Sequence, residues 1–171
     1  IFCRDTKLNI SPRYLKPGFA FGGSCLGKDL RALTYKSRLM DVETPLLRAV
    51  LDSNQHHLQR AIAALGRYKG LKIGFFGLSF KGGTDDLRES PTVEVIEAIL
   101  GKGMAVRIYD PSVNIARLTG ANKAYIDKEI PHLARLICET PEEILETCDV
   151  VVVGNHDPEF AALIRKAKPA Q

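Results

Sequence analysis

The rhythm of apolar positions changes along the chain, and each rhythm predicts a different element. Residues 6–24 have no period; Asn9, Ser11, Pro12, Pro17, Gly18, Gly22 and Gly23 are turn and loop formers. Leu26, Leu30 and Leu33 then recur at i, i+4 and i+7, which predicts a helix whose first turn lies close to Cys25. A longer helix follows. Thr44 is a good N-cap and Pro45 suits the first helical position, where its missing N–H leaves no bond unmade. Leu47, Val50, Leu51, Asn54, Leu58, Ala61, Ile62 and Leu65 keep to one face, with His56, His57 and Gln59 on others, and Gly66 or Gly70 ends the run.

Beyond Gly70 the pattern alternates strand and helix. Residues 71–76 and Ala105–Tyr109 read as strands, the second with Asp110 at its end. Ser90-Pro91 reads as an N-cap and first helical residue, Val93, Ile96, Ile99 and Leu100 as an inner face, and Gly101 and Gly103 as its end. Thr140-Pro141-Glu142-Glu143 carries the spacing of a capping box and opens a helix through about Thr147. Val150–Val153 reads as a third, buried strand. The expected class is α/β: a helical linker or dimerisation region over 1–70, then a Rossmann-like parallel sheet with right-handed crossovers over 71–171, unfinished at Gln171.

Composition narrows the function classes. Of 171 residues, 45% are hydrophobic and 26% charged, the balance of a water-soluble folded protein. No apolar run approaches the roughly 18 residues of a membrane span. A net charge of +4, with both signs interspersed, suits a few cations aimed at a phosphorylated small molecule better than nucleic acid. Cys3, Cys25, Cys138 and Cys148 form no C-x-x-C pair, and the expectation is reduced thiols in the cytoplasm. Ile1-Phe2-Cys3-Arg4-Asp5 lacks an initiator Met and reads like the inside of a helix, so the chain is expected to begin mid-protein.

Chemistry concentrates in two loops. Gly22-Gly23-Ser24-Cys25-Leu26-Gly27-Lys28-Asp29 brings a thiol to a helix start, where the partial positive charge favours thiolate, with a cation and a carboxylate one turn on. Such a thiolate attacks carbonyl carbon and leaves again as a stable anion; a buried cysteine beside a glycine turn is the plainer alternative. The second loop, residues 77–91, joins the first strand to the next helix, where such sheets bind phosphate. It lacks the G-x-G-x-x-G spacing of a dinucleotide turn. Lys81 and Arg88 read as two anion contacts, or else as surface charges paired with Asp85, Asp86 and Glu89. His56 and His57 are adjacent on a helix and point apart, so no metal site is expected. His132 and His156, near Pro131 and Pro158, read as surface or turn residues.

Together the loops resemble the UDP-glucose/GDP-mannose dehydrogenase family, whose members carry G-G-x-C-L-P-K-D and, later, F-K-x-x-T-D-D-x-R-E-S-P. Here these stand as residues 22–29 and 80–91, in the same order and separated by the long helix. The likeness leans to the GDP-mannose members, on Arg13-Tyr14-Leu15-Lys16-Pro17-Gly18-Phe19-Ala20-Phe21, on Asp85-Asp86-Leu87-Arg88-Glu89-Ser90-Pro91, and on Gly120-Ala121-Asn122-Lys123 through Ile130-Pro131-His132.

The resemblance implies a four-electron oxidation of a sugar C6 alcohol to a carboxylate with two NAD. Cys25 would be the nucleophile, through a thiohemiacetal and a thioester, and Asp29 would help the water or proton steps. Lys28 and Arg88 would reach NAD, and Lys81 the phosphates of the sugar nucleotide. Arg13, Tyr14, Lys16, Phe19 and Gly22 would wrap sugar and base, with Lys16 acting on a neighbouring subunit's site. The helix of 44–66 would form a homodimer core. Gly27 replaces the family's usual Pro, which is expected to loosen the turn after the thiol. The family's NAD domain would lie upstream of Ile1, so the chain alone is not expected to turn over. Three alternatives stay open: a UDP-glucose or UDP-N-acetyl-sugar substrate, a non-catalytic nucleotide-sugar-binding and dimerisation module, and an NAD-binding Rossmann domain, the last weakened by the absent fingerprint.

Overall fold

The computed structural model describes residues 4, 7, 18–80, 82–113, 128 and 130–166. Two helices come first, α1 (Leu26–Leu39) and α2 (Pro45–Leu65). A 3-10 turn (Gly66–Tyr68) and Gly70, at φ 93°, then reverse the chain into β1 (Lys72–Phe76). Next come α3 (Pro91–Gly101), β2 (Ala105–Tyr109), α4 (Pro131–Ala134), α5 (Pro141–Thr147), β3 (Val150–Val153) and α6 (Pro158–Lys166). The sheet order is β2-β1-β3, all parallel, with Ile73 beside Val106 on one side and Val150 on the other.

The alternation of β1 explains the layering. Ile73 and Phe75 point to one face, where Leu58, Ile62 and Leu65 of α2 and Val93, Ile96 and Ile99 of α3 cover them. Burying each such side chain contributes about 1.5–3 kcal/mol, an upper figure because the unfolded chain is partly compact. Gly74 and Phe76 point to the other face. A Cβ on Gly74 would collide with Ile144 and come within 3.2 Å of Cys148 Sγ, so the bare strand is what lets α5 approach. Phe76 stacks on Phe160 of α6 at 5.4 Å and meets Tyr109 edge-on at 6.1 Å.

That second face holds groups that titrate at high pH. Burial raises the Cys138 and Cys148 thiols above their ordinary value of 9.0 and raises Tyr109 above 10.0, the last also through Glu159. The folded state binds these protons more tightly than the unfolded state. Their stabilisation is therefore complete below pH 9 and is lost as pH rises through the raised values. Thermal melts are expected to be level from pH 7 to about 8.5 and to fall steadily above pH 9.

Several sequence expectations change in detail. β3 is not buried on both faces: Val151 and Val153 are exposed, on a strand at the edge of the sheet as described. In α1 only Leu30 of the predicted stripe is buried; Leu26 and Leu33 face outward. Ser90 stands at the N-cap, but its hydroxyl donates to Leu78 O at 2.7 Å instead of capping. Glu143 does reach back, accepting from Thr140 N at 3.1 Å. No helix of the described residues is long and apolar enough to cross a membrane.

Candidate functional site

The β1–α3 connection, residues 77–90, leaves the sheet at its carboxyl edge, where the chain goes to β2 on one side while β3 lies on the other. This is the switch point at which parallel sheets bind ligands. Gly77, at φ 90°, makes the turn, and Asn155 packs where its Cβ would be. Leu78 and Ser79 are then fixed from below by Asp110, only 5% exposed at the end of β2. Asp110 Oδ2 accepts from Leu78 N at 2.7 Å, Ser79 N at 3.1 Å and Ser79 Oγ at 3.3 Å. Its Oδ1 accepts from Ser112 N at 2.9 Å. Asn155, just after β3, donates to Ser79 Oγ at 3.3 Å. The start of the loop is therefore tied to the ends of both neighbouring strands.

The thiol loop packs on the other end of this connection. Phe21 exchanges two bonds with Asn54 of α2: its N–H donates to Asn54 Oδ1 at 2.8 Å, and Asn54 Nδ2 donates to its carbonyl at 3.0 Å. Gly23, at φ 88°, donates its N–H to Glu89 O at 3.3 Å and leaves its Cα face against the Phe80 ring. Gly22 leaves no room for a Cβ, which would collide with Glu89 O. Cys25 follows as the N-cap of α1 and is exposed, which sets aside the buried-cysteine reading. Ser24 Oγ lies 3.8 Å from its Sγ. Lys28 and Asp29, both exposed, pair at 3.6 Å.

Arg88 forms the charge pair that was the alternative to an anion contact. Its guanidinium grips Asp86 through Nε and Nη2, each at 2.8 Å, which lowers the Asp86 carboxyl and raises Arg88. Arg31 of α1 is likewise raised by a hydrogen bond and charge from Glu89.

Between the loops lies a cavity of about 680 Å³, walled by Phe19, Phe21, Phe80, Thr92, Asn155 and His156 among others. It joins aromatic faces to the N-terminus of α3. Phe19 is brought to it as expected, and Gly22 lies beside it as backbone to the thiol loop. Cys25, Lys28, Asp29 and Arg88 are not among its walls. Arg13, Tyr14, Lys16 and Lys81 lie outside the described residues. From sequence, Asn54, Glu89, Asp110 and His156 stand only as a stripe position, a surface charge, a strand end and a turn residue, and Asn155 carries no signal.

Whether the sheet could itself hold NAD turns on Asp110. In dinucleotide-binding folds an acidic residue in this region receives the ribose hydroxyls. Here both its oxygens are turned inward and occupied by the chain's own N–H and O–H groups. With no glycine fingerprint before it, the sheet does not fit the adenosine half of NAD. Lys28 and Arg88 are both exposed and make ion pairs with Asp29 and Asp86. Among the described residues, no cluster of His, Cys, Asp and Glu is placed to hold a metal ion.

An open parallel sheet with helices on both faces, joined to a helix that starts at an exposed thiol, defines an α/β protein of the doubly wound kind. Comparison with known proteins makes the class specific. Residues 74–170 match the UDP binding domain of the UDP-glucose/GDP-mannose dehydrogenase family, and residues 1–56 match its central domain. The chain belongs to that family. It is 49% identical over 97% of its length to a GDP-mannose 6-dehydrogenase of Pseudomonas aeruginosa, and spans 38% of that relative. It is 34% identical over 88% of its length to a UDP-glucose 6-dehydrogenase of the same organism, spanning 33% of that protein. The fold superposes on the crystal structure of a ternary complex of GDP-mannose dehydrogenase from P. aeruginosa with a TM-score of 0.89 and 48% identity, covering 99% of this chain and 39% of the other.

Proposed function

We propose that this chain forms the thiol and nucleotide-sugar half of an NAD-dependent nucleotide-sugar 6-dehydrogenase whose substrate is GDP-mannose. The observation that carries the reading is the junction of the two loops. Cys25 stands exposed at the start of α1, seated through Gly23 on the connection that carries Arg88 and leads into α3. Residues 1–70 serve as the central, dimer-forming region and 71–171 as the nucleotide-sugar-binding domain.

NAD, held by parts of the protein outside this chain, supplies the hydride acceptor in each of two oxidations. The residues of this chain do the rest. Cys25 Sγ adds to the aldehyde carbon at C6 and holds the sugar as a thiohemiacetal, then as a thioester. Water cleaves the thioester and Cys25 leaves as thiolate. Asp29, one turn along α1, takes the proton of that water. The N-terminus of α3 and Lys81 receive the diphosphate, and Phe19 and Gly22, with Arg13 and Tyr14, enclose the sugar and base. Lys16 reaches the site of a neighbouring subunit, and Lys28 and Arg88 face the cofactor. Exposed Leu39, Met40 and Leu46, at one end of the α1–α2 pair, support a homodimer through α2.

Two relatives in one organism favour GDP-mannose over UDP-glucose, 49% identity against 34%. Calorimetry on the full-length protein is expected to show tighter binding of GDP-mannose; tighter UDP-glucose binding reverses the choice. The isolated chain, mixed with NAD and GDP-mannose, is expected to produce no NADH absorbance. Robust turnover, or strong NAD binding by the chain alone, contradicts the division of labour.

A further inference from the structure

The thiol loop and the switch-point loop meet at one residue, and that residue is strained. Glu89 has φ 50°, the left-handed region that favours glycine, and only Asp41 shares this among the described non-glycine residues. Its backbone carbonyl takes the Gly23 N–H at 3.3 Å. Its carboxylate turns to α1 and takes Arg31, Nη2 at 2.6 Å and Nη1 at 3.3 Å, across 58 residues of sequence. A Cβ at Gly27 would come within 2.5 Å of Glu89 Oε2 and 3.2 Å of Arg31 Nη1, so the ion pair occupies the space that glycine leaves. Cys25 lies midway between these holds, two residues after Gly23 and two before Gly27.

We propose that Glu89 is a positioning residue that clamps Cys25 from both sides, Gly23 through its carbonyl and Arg31 through its carboxylate, with Gly27 as the space that admits the clamp. Strain is maintained where the surroundings over-determine it, and here two independent contacts do so. A clamp of this kind fixes the thiol relative to the loop that binds the nucleotide. A nucleophile set an ångström off its carbonyl carbon loses about a hundredfold in rate. The glycine at 27 does not loosen the turn; it exchanges a stiff ring for an ion pair. This inference rests on Cys25 being the nucleophile, but the clamp itself is measurable without that assumption.

The test compares Glu89→Gln, Glu89→Gly, Gly27→Ala and the exchanged pair Arg31→Glu with Glu89→Arg. Glu89→Gly retains the carbonyl and removes the φ strain, so it guards against a simple loss of folding. Hydrogen exchange of the peptide spanning residues 22–29 is expected to quicken about tenfold in the three single variants, with strand β1 unchanged. The exchanged pair is expected to restore most of the protection. In the full-length protein kcat is expected to fall about ten- to hundredfold with KM little changed. Unaltered exchange in Glu89→Gln and Glu89→Gly overturns the clamp, and quickened exchange with full kcat overturns its role in positioning. Cys25→Ser decides separately whether the thiol is the nucleophile, so the two failures are told apart.

Discussion

Asp110→Ala is expected to lower the stability of this chain by about 3–5 kcal/mol, more than any other polar substitution described above. The carboxylate is buried at the end of β2 and is an acceptor for Leu78 N, Ser79 N, Ser79 Oγ and Ser112 N. Alanine leaves the buried donors unpaired, and each costs about 1–3 kcal/mol to leave without a partner or water. Some of this is recovered as the loop relaxes, hence a total below the sum. For a chain of this size the melting temperature is expected to drop by roughly 2–4 °C per kcal/mol. Asparagine is expected to cost less, because one oxygen still accepts, but its amide then faces a donor. Since Leu78 and Ser79 open the switch-point loop, GDP-mannose binding should weaken in step, which calorimetry on both variants checks.

Cys25→Ser in the full-length protein is expected to reduce turnover to carboxylate at least about a thousandfold while leaving GDP-mannose affinity nearly unchanged. The reason lies in the geometry. Cys25 lies outside the walls of the cavity that Phe19, Phe21 and Phe80 form, so the change removes the thiol without altering that cavity. Serine keeps the size and the N-cap position of the residue; what it loses is a nucleophile that can also depart as a stable anion. A fall in affinity as large as the fall in kcat would point instead to a structural role for the thiol.

What the sequence made legible was local. The long helix α2 was readable because Thr44-Pro45 starts it and a regular stripe sustains it, and the three strands because each is a short apolar run between turn residues. The capping box of α5 and the thiol's place at the start of α1 follow from neighbours a turn away. α6 was overlooked although Pro158, Phe160 and Leu163 give it a start and a face. The exposure of Val151 and Val153 was not readable, because it depends on what pairs with β3 and not on β3 itself. The same limit hid the supports of the candidate site. Asn54 holds Phe21 from 33 residues away, Asp110 holds Ser79 from 31, and Glu89 holds Arg31 from 58. No period or motif encodes such pairs. Gly27 shows the limit of local reasoning: nothing near it in sequence tells that a distant carboxylate lies against it.

In the proposed mechanism Cys25 carries the sugar covalently. Full-length protein quenched in acid during turnover with NAD and GDP-mannose, then digested and analysed by mass spectrometry, tests it most directly. The nucleotide-sugar mass is expected on the peptide that contains Cys25. An adduct found on a different side chain, with the Cys25 peptide unmodified, would contradict it.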